Sequence, residues 1–100
     1  MTLEEYLERQ QVWSEATFGP GQRTGGITKH IEKEINEVRE NPRDLSEWID
    51  VIILAMDGYW RHGGTPETLM RDLIAKQAKN MSRRYAPPTS EDEPSEHIRT

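Results

Sequence analysis

Residues 27–62 read ITKHIEKEINEVRENPRDLSEWIDVIILAMDGYWRH, and their pattern gives the main indication of the fold. Its first part carries aliphatic side chains at helical spacing, at Ile27, Ile31, Ile35 and Val38. The pair Asn41-Pro42 interrupts that pattern, and a second helical pattern begins after it. We therefore predict helices over residues 27–40 and 45–62, which are antiparallel neighbours because their connection is short.

The second helix of this pair is the more apolar of the two. Residues 48–56 are apolar nearly all round, with Asp50 as the exception. Asp44 is a candidate N-cap, and Glu47 three residues later completes a pattern similar to a capping box. A helix with apolar residues on every side is typical of a buried position, so we expect it to be central and most buried.

Two further helices flank the pair. Thr2 and Glu5 form a capping-box pattern that predicts a helix over residues 3–15. Thr65 followed by Pro66 is a helix start signal, and the fourth helix is predicted over residues 65–84. We therefore predict an all-α, four-helix antiparallel bundle.

The fold prediction divides the chain into a helical domain and a tail. The domain is predicted over residues 1–85. Residues 86–100 are rich in proline, serine and glutamate, which predicts a disordered acidic C-terminal tail.

Composition limits the classes of protein that the chain can belong to. It has 100 residues, a formal net charge of −5 and no cysteine, which excludes disulfides, thiolate metal sites and cysteine nucleophiles. No apolar run is long enough to span a membrane, and the first residues do not resemble a signal peptide. We expect a cytoplasmic protein, in the host cytoplasm if it is encoded by a phage. Because so short a chain buries a small core, we also expect a homo-oligomer.

The informative polar residues are two carboxylate pairs, each at positions i and i+3 of a helix. Glu34 and Glu37 share one face of the first central helix, and Glu47 and Asp50 share one face of the next. Because the short connection makes the two helices antiparallel neighbours, we expect both pairs to converge on one site. Acids within an apolar helix are costly unless they are paired or bound to metal, which favours a functional role. Four oxygen donors without histidine or thiol suit Mg²⁺ or Mn²⁺, which bridge carboxylates to phosphates.

Other polar residues are candidates for contacts with a nucleotide. Near the end of the fourth helix, a basic face is predicted to meet a polyphosphate; it consists of Lys76, Lys79, Asn80 and Arg83. Phe18 lies in a glycine-rich segment and can stack on a base, and His30 can contact a base edge. Arg23 begins a segment that can hold phosphate at a helix start. Each of these also has a structural explanation, as a solvated basic face, a cap or a flexible linker.

These motifs together resemble a known family. Glu34-x-x-Glu37 followed by Glu47-x-x-Asp50 resembles the pattern of MazG-like all-α nucleotide pyrophosphohydrolases. The segments TFGPG (17–21), HIEKE (30–34), DLSEWIDV (44–51) and KQAKN (76–80) are similar to the small phage and bacterial branch described as dATP/dGTP diphosphohydrolases, the MazZ type. The spacer between the two carboxylate motifs is shorter than in many MazG proteins.

The resemblance implies an activity, a metal and a set of site residues. It implies Mg²⁺-dependent hydrolysis, with Mn²⁺ as a substitute, of dGTP or dATP to the monophosphate and pyrophosphate by a protomer that forms a dimer or tetramer. A metal-activated water would attack the α phosphorus. The implied catalytic metal ligands are Glu34, Glu37, Glu47 and Asp50, and the segment with Lys76, Lys79 and Asn80 would face the phosphates.

Three alternatives remain open from the sequence alone. The first is a non-catalytic nucleic-acid-binding or regulatory module, although an acidic domain is a poor electrostatic match for DNA. The second is a structural helical subunit whose acids are merely solvated. The third is the same chemistry on a pyrimidine deoxynucleotide. Neither a membrane nor a stable nucleic-acid partner is expected.

Overall fold

A computed structural model describes residues 1–98 of the chain as four α-helices and one short strand pair. The elements are α1 (Leu3–Phe18), α2 (Thr24–Glu40), α3 (Leu45–Arg61), α4 (Leu69–Met81), β1 (Arg84–Tyr85) and β2 (His97–Ile98). The all-α prediction with four helices is confirmed. Within residues 1–98, no helix combines the length and the hydropathy that crossing a bilayer requires.

The chain divides into two compact units, Met1–Leu69 and the residues that follow. In the first unit the apolar core is formed by Leu7 of α1 and by Ile27 and Val38 of α2, with Leu69 at its end. On α1 the side chains buried besides Leu7 are polar, Gln10 and Ser14. Polar side chains in a core require hydrogen-bond partners, so this face of α1 contributes hydrogen bonds as well as apolar packing.

The start signals of α1 and α3 are confirmed by their hydrogen bonds. Thr2 and Glu5 form a complete capping box, with Thr2 Oγ1 accepting from the Glu5 amide. The Asp44 carboxylate accepts from the amide of Ser46 rather than from that of Glu47, so the second capping box does not form.

The boundaries of α1 and α2 differ from the prediction. α1 continues to Phe18 and ends where Gly19 adopts a φ of 91°, a conformation that favours glycine. α2 begins at Thr24, so the residues predicted as a loop before Ile27 form its first turn. Arg23, the residue before this turn, has a φ of 50°. A Cβ at Gly26 would lie 3.0 Å from the Arg23 guanidinium, so glycine leaves room for this side chain.

α2 and α3 pack against each other as the predicted antiparallel pair. At one end of the pair, Thr24 Oγ1 lies 2.6 Å from Nε2 of His62, the residue that follows α3. At the other end, Glu34 of α2 lies beside Glu47 and Asp50 of α3. The short connection therefore places side by side the two helices that carry the predicted carboxylate motifs.

The prediction that α3 is the most buried helix is wrong for the single chain. α3 packs against both α1 and α2, but its most buried residues are Asp57 and Arg61. A row of apolar residues at positions i, i+3, i+4 and i+7 stays exposed, namely Leu45, Trp48, Ile49 and Ile52. The physical reason is that α1 and α2 cover only one side of α3 in the first unit. We call these four residues the α3 apolar row.

α4, which lies in the second unit except for its first residue, is shorter than predicted. It begins at Leu69, because Thr65 and Thr68 close a separate turn in which the Thr68 amide donates to Thr65 Oγ1. It ends at Met81, so Arg83 lies beyond the helix.

Within the described part of the tail that was predicted to be disordered, His97–Ile98 form a strand. β1 pairs with β2 in an antiparallel register, and the Ala86 amide donates to the Glu96 carbonyl. The rings of Tyr85 and His97 meet edge to face, a contact between distant residues that composition does not reveal. Arg99 and Thr100 lie outside the described residues, and the predicted domain boundary at residue 85 stays a prediction.

Candidate active site

Three of the four predicted acids converge at the interface between α2 and α3. Carboxylate oxygens of Glu34, Glu47 and Asp50 lie within 4.8 Å of one another. Glu34 and Glu47 are half-buried, and Asp50 is exposed. The i, i+3 spacing on α3 places two acids on one face, and the antiparallel packing of α2 supplies the third. We call these three residues the acidic cluster.

Glu37 is near this cluster but outside the closest set. It is half-buried one turn after Glu34. Partial burial raises the pKa of the Glu47 carboxyl above its ordinary value, and the negative charges of Glu37, Asp44, Asp50 and Glu34 raise it further. Repulsion of this kind is relieved when a cation binds between the carboxylates, and the all-oxygen donor set suits a hard divalent ion.

A cavity of about 480 Å³ opens beside the acidic cluster in the first unit. Glu34 and Asp50 form one part of its wall. The remaining lining residues are Tyr6, Arg9, Gln10, Trp13, Ser14, Phe18, His30, Ile53, Leu54 and Asp57. A mostly apolar cavity of this size, with a few convergent polar groups, is typical of a small-molecule site.

The cavity distinguishes this cluster from a second group of acids. Glu4, Glu8 and Glu67 also bring carboxylate oxygens within 4.8 Å of one another, but all three residues are exposed. None of them lines the cavity. Of these two groups of acids, the one that includes Glu34 therefore adjoins the cavity.

Two of the predicted substrate-binding residues, Phe18 and His30, line the cavity. The Phe18 ring packs edge to face on Trp13 with 5.5 Å between ring centroids. The Arg23 guanidinium also lies over this ring, 5.4 Å from its centroid, and donates to the Phe18 carbonyl. His30 Nε2 lies 3.2 Å from a carboxylate oxygen of Glu34, which joins the base-contact candidate to the acidic cluster.

A buried polar network in the cavity wall was not predicted. Asp57 accepts from Ser14 and from Arg61, and Arg61 also donates to the carbonyls of Gly19 and Gly21. The i, i+4 spacing of Asp57 and Arg61 is a local signal for an ion pair. Ser14 carries no such signal, because its partners are more than 40 positions away.

Gln10 is the second cavity residue that sequence reasoning missed. It is 6% exposed, and its Nε2 donates a hydrogen bond of 2.8 Å to the Ile53 carbonyl. Its Oε1 is buried and has no hydrogen-bond partner within residues 1–98. A buried acceptor without a donor is rare in folded proteins, and one in a cavity wall points toward a ligand.

The predicted phosphate contacts lie in the second unit. Lys76, Lys79 and Asn80 share one face of α4, and both lysines are exposed. Arg83, beyond the helix end, donates to the Asn80 side chain at 3.4 Å. The acidic cluster belongs to the first unit, so contact between these four residues and a shared ligand stays a prediction.

Comparison with known proteins shows similarity over nearly the whole chain. A sequence model of the dATP/dGTP pyrophosphohydrolase family matches residues 6–100. The structure is similar to that of the MazG-like pyrophosphohydrolase of cyanophage S-2L, which was solved with dGDP and three catalytic Mn²⁺ ions per active site. That match has 26% sequence identity and a TM-score of 0.74, and covers 99% of each chain. No curated protein matches the sequence.

Proposed function

This chain belongs to the dATP/dGTP pyrophosphohydrolase family, and we propose that it hydrolyses dGTP or dATP to the monophosphate and pyrophosphate with Mg²⁺, for which Mn²⁺ can substitute. The family and the MazG-like structural match establish the coarser statement, that it is an enzyme which hydrolyses nucleotide pyrophosphate bonds. They argue against the two non-catalytic alternatives. The metal, the base and the products belong to the proposal.

One observation carries the proposal: a convergent set of carboxylates beside an aromatic-lined cavity. Glu34 and Asp50 belong both to the acidic cluster and to the cavity wall. Trp13 and Phe18 lie in the same wall. A ligand that is apolar and flat at one end and anionic at the other matches this arrangement, and a nucleoside triphosphate has that form.

The residues present fit a divalent metal. We propose Glu34, Glu47 and Asp50 as ligands, with Glu37 as a fourth that can also accept a proton from the attacking water. The similar MazG-like pyrophosphohydrolase of cyanophage S-2L holds Mn²⁺ ions at its active site, which supports this assignment. Divalent ions in such a site neutralise phosphate charge and lower the pKa of water, so that attack at the α phosphorus becomes accessible at neutral pH.

The cavity is the proposed place of the deoxynucleoside. Phe18 offers an aromatic ring for base stacking, and its contacts with Trp13 and Arg23 hold the orientation of that ring. His30 lines the cavity and lies 3.2 Å from Glu34, so it can contact either the base or the sugar.

The remaining predicted residues are proposed to bind phosphate oxygens. Arg23 is exposed beside Phe18 at the entry to α2. The basic face of α4 and Arg83 supply the other cations, and Asn80 supplies an amide. Lysine and arginine side chains that bind the leaving pyrophosphate would stabilise its charge.

We further propose that the enzyme is a homodimer or homotetramer. The α3 apolar row leaves four large side chains exposed in one protomer, and Leu45 alone is 75% exposed. Exposed apolar rows of this kind mark surfaces that are covered by another protein chain.

A panel of nucleoside triphosphates with Mg²⁺ tests the proposed activity. We expect dGTP and dATP to give the monophosphate and pyrophosphate, and pyrimidine deoxynucleotides to be turned over more slowly. Glu34→Gln should lower kcat by about 100-fold or more, since it removes a metal ligand. Glu32→Gln is the matched control, because Glu32 is exposed on the same helix. A diphosphate product, or equal activity of the two variants, would refute the proposal.

A further inference from the structure

The orientation of the Gln10 amide is fixed by its hydrogen bond to the Ile53 carbonyl. A carbonyl oxygen can only accept, so the amide nitrogen must face it and Oε1 must lie on the other side. Oε1 is buried, has no partner in the described chain, and belongs to a residue of the cavity wall. The fold therefore holds a hydrogen-bond acceptor in place without using it.

A second acceptor belongs to Asp57 of α3, whose carboxylate is bonded to Ser14, one helical turn from Gln10. Gln10 and Ser14 are at i and i+4 on α1, and Ser14 donates to Oδ1 of Asp57, another cavity residue. Arg61 Nε reaches both carboxylate oxygens at 3.2 Å, so Oδ2 takes only one shared contact and has acceptor capacity left. Two neighbouring residues of the cavity wall, Gln10 and Asp57, thus have acceptor capacity left.

The two purine bases differ in what they offer to such a wall. Guanine presents two adjacent donors, N1–H and the 2-amino group. Adenine presents the donor N6–H₂ beside N1, which is an acceptor. Two acceptors in the wall match the guanine edge, whereas the N1 lone pair of adenine would face a like partial charge.

Resting on the proposed function, we propose that Gln10 is a specificity-determining residue whose Oε1 accepts a hydrogen bond from the 2-amino group of guanine. The enzyme then favours dGTP over purine deoxynucleotides that lack this amino group. A site built around a hydrogen bond discriminates strongly against an analogue without the donor, because the buried acceptor stays unpaired.

The test compares dGTP with deoxyinosine triphosphate, which lacks only the 2-amino group. We expect the wild-type kcat/KM for dGTP to exceed that for deoxyinosine triphosphate by about 10- to 100-fold. Gln10→Met should reduce this ratio to near one. Gln11→Met is the matched control, since Gln11 is the neighbouring glutamine and does not line the cavity, and it should keep the wild-type ratio.

Gln10→Asn provides a second test if the methionine variant does not fold. Its side chain keeps the amide but is shorter by one methylene, so the ratio of kcat/KM for dGTP to that for deoxyinosine triphosphate should again fall to near one. A wild-type ratio near one overturns the inference without any variant, as does a folded Gln10 variant with an unchanged ratio. In both cases hydrolysis of purine triphosphates continues, whereas failure of the proposed function would appear as no monophosphate product from any nucleotide.

Discussion

Ser14 donates a hydrogen bond of 2.7 Å from Oγ to Oδ1 of Asp57, and both side chains are buried in the cavity wall. Arg61 completes the triad, since Nη2 donates to Ser14 Oγ and Nε donates to the carboxylate. Its remaining nitrogen, Nη1, donates to the carbonyls of Gly19 and Gly21. One guanidinium thus joins α1, α3 and the loop that follows Phe18.

The first prediction concerns this guanidinium. Arg61→Met should lower the free energy of unfolding by about 3–5 kcal/mol, because it leaves the buried Asp57 charge without its partner. Arg71→Met is the matched control, since Arg71 forms an exposed ion pair with Asp72 and should change stability by less than about 1 kcal/mol. Urea denaturation measures both values. Equal effects of the two substitutions would contradict a structural role for the Arg61 network.

Local signals predicted the part of the fold that local chemistry determines. The α2–α3 pair follows from aliphatic spacing and a four-residue connection. The convergence of Glu34, Glu47 and Asp50 follows from i, i+3 spacing on a helix with an antiparallel neighbour. These features needed no knowledge of distant contacts.

The parts that were missed depend on contacts between distant residues. Ser14 and Gln10 look like surface residues in sequence, and only the packing of α1 on α3 reveals their partners. The burial of α3 was overestimated because hydrophobicity predicts that a side chain will be covered, not whether its own chain or another covers it. The start of α4 was missed because Thr65 caps a turn as well as it caps a helix.

The second prediction tests metal binding without turnover. Mg²⁺ at 100 times its dissociation constant should stabilise the wild-type protein by about 2.7 kcal/mol, because a ligand that binds the folded state alone shifts the equilibrium. Asp50→Asn should remove most of this effect, since it deletes a carboxylate of the acidic cluster. Glu40→Gln, an exposed acid at the end of α2, should keep it. Thermal melts with Mg²⁺ and with EDTA give the comparison, and an equal Mg²⁺ shift in Asp50→Asn would exclude this metal site.

The third prediction follows from the raised pKa of Glu47. Between its ordinary value of 4.5 and the raised value, the folded metal-free protein binds more protons than the unfolded chain. This group therefore makes the folded state less stable as pH rises through that window, and the penalty is complete above the raised pKa. In EDTA, Glu47→Gln should gain stability relative to wild type as pH increases from 4.5 to 7. Urea denaturation at several pH values measures the difference, and parallel pH profiles would refute the assignment.

The fourth prediction concerns base stacking on Phe18. Phe18→Ala should lower kcat/KM for dGTP by about 10- to 100-fold, because stacking of a base on an aromatic ring contributes about 1–3 kcal/mol. The change should appear mainly in KM, since the ring does not belong to the acidic cluster. Val12→Ala, at an exposed position of the same helix, is the control. Steady-state kinetics with an unchanged KM for Phe18→Ala would place the base elsewhere.

The fifth prediction concerns the α3 apolar row. Ile52 is 49% exposed in the protomer and lies outside the cavity, so a charge there should disturb assembly without entering the substrate site. If a second copy covers this row, Ile52→Lys buries an unpaired ammonium group at the contact and should shift the sedimenting species toward the monomer. Val12→Lys introduces the same charge at an apolar residue of α1 that is 73% exposed and should leave the sedimentation profile unchanged. A wild-type protein that sediments as a monomer, or an oligomer insensitive to Ile52→Lys, would show that this row is not the contact between copies.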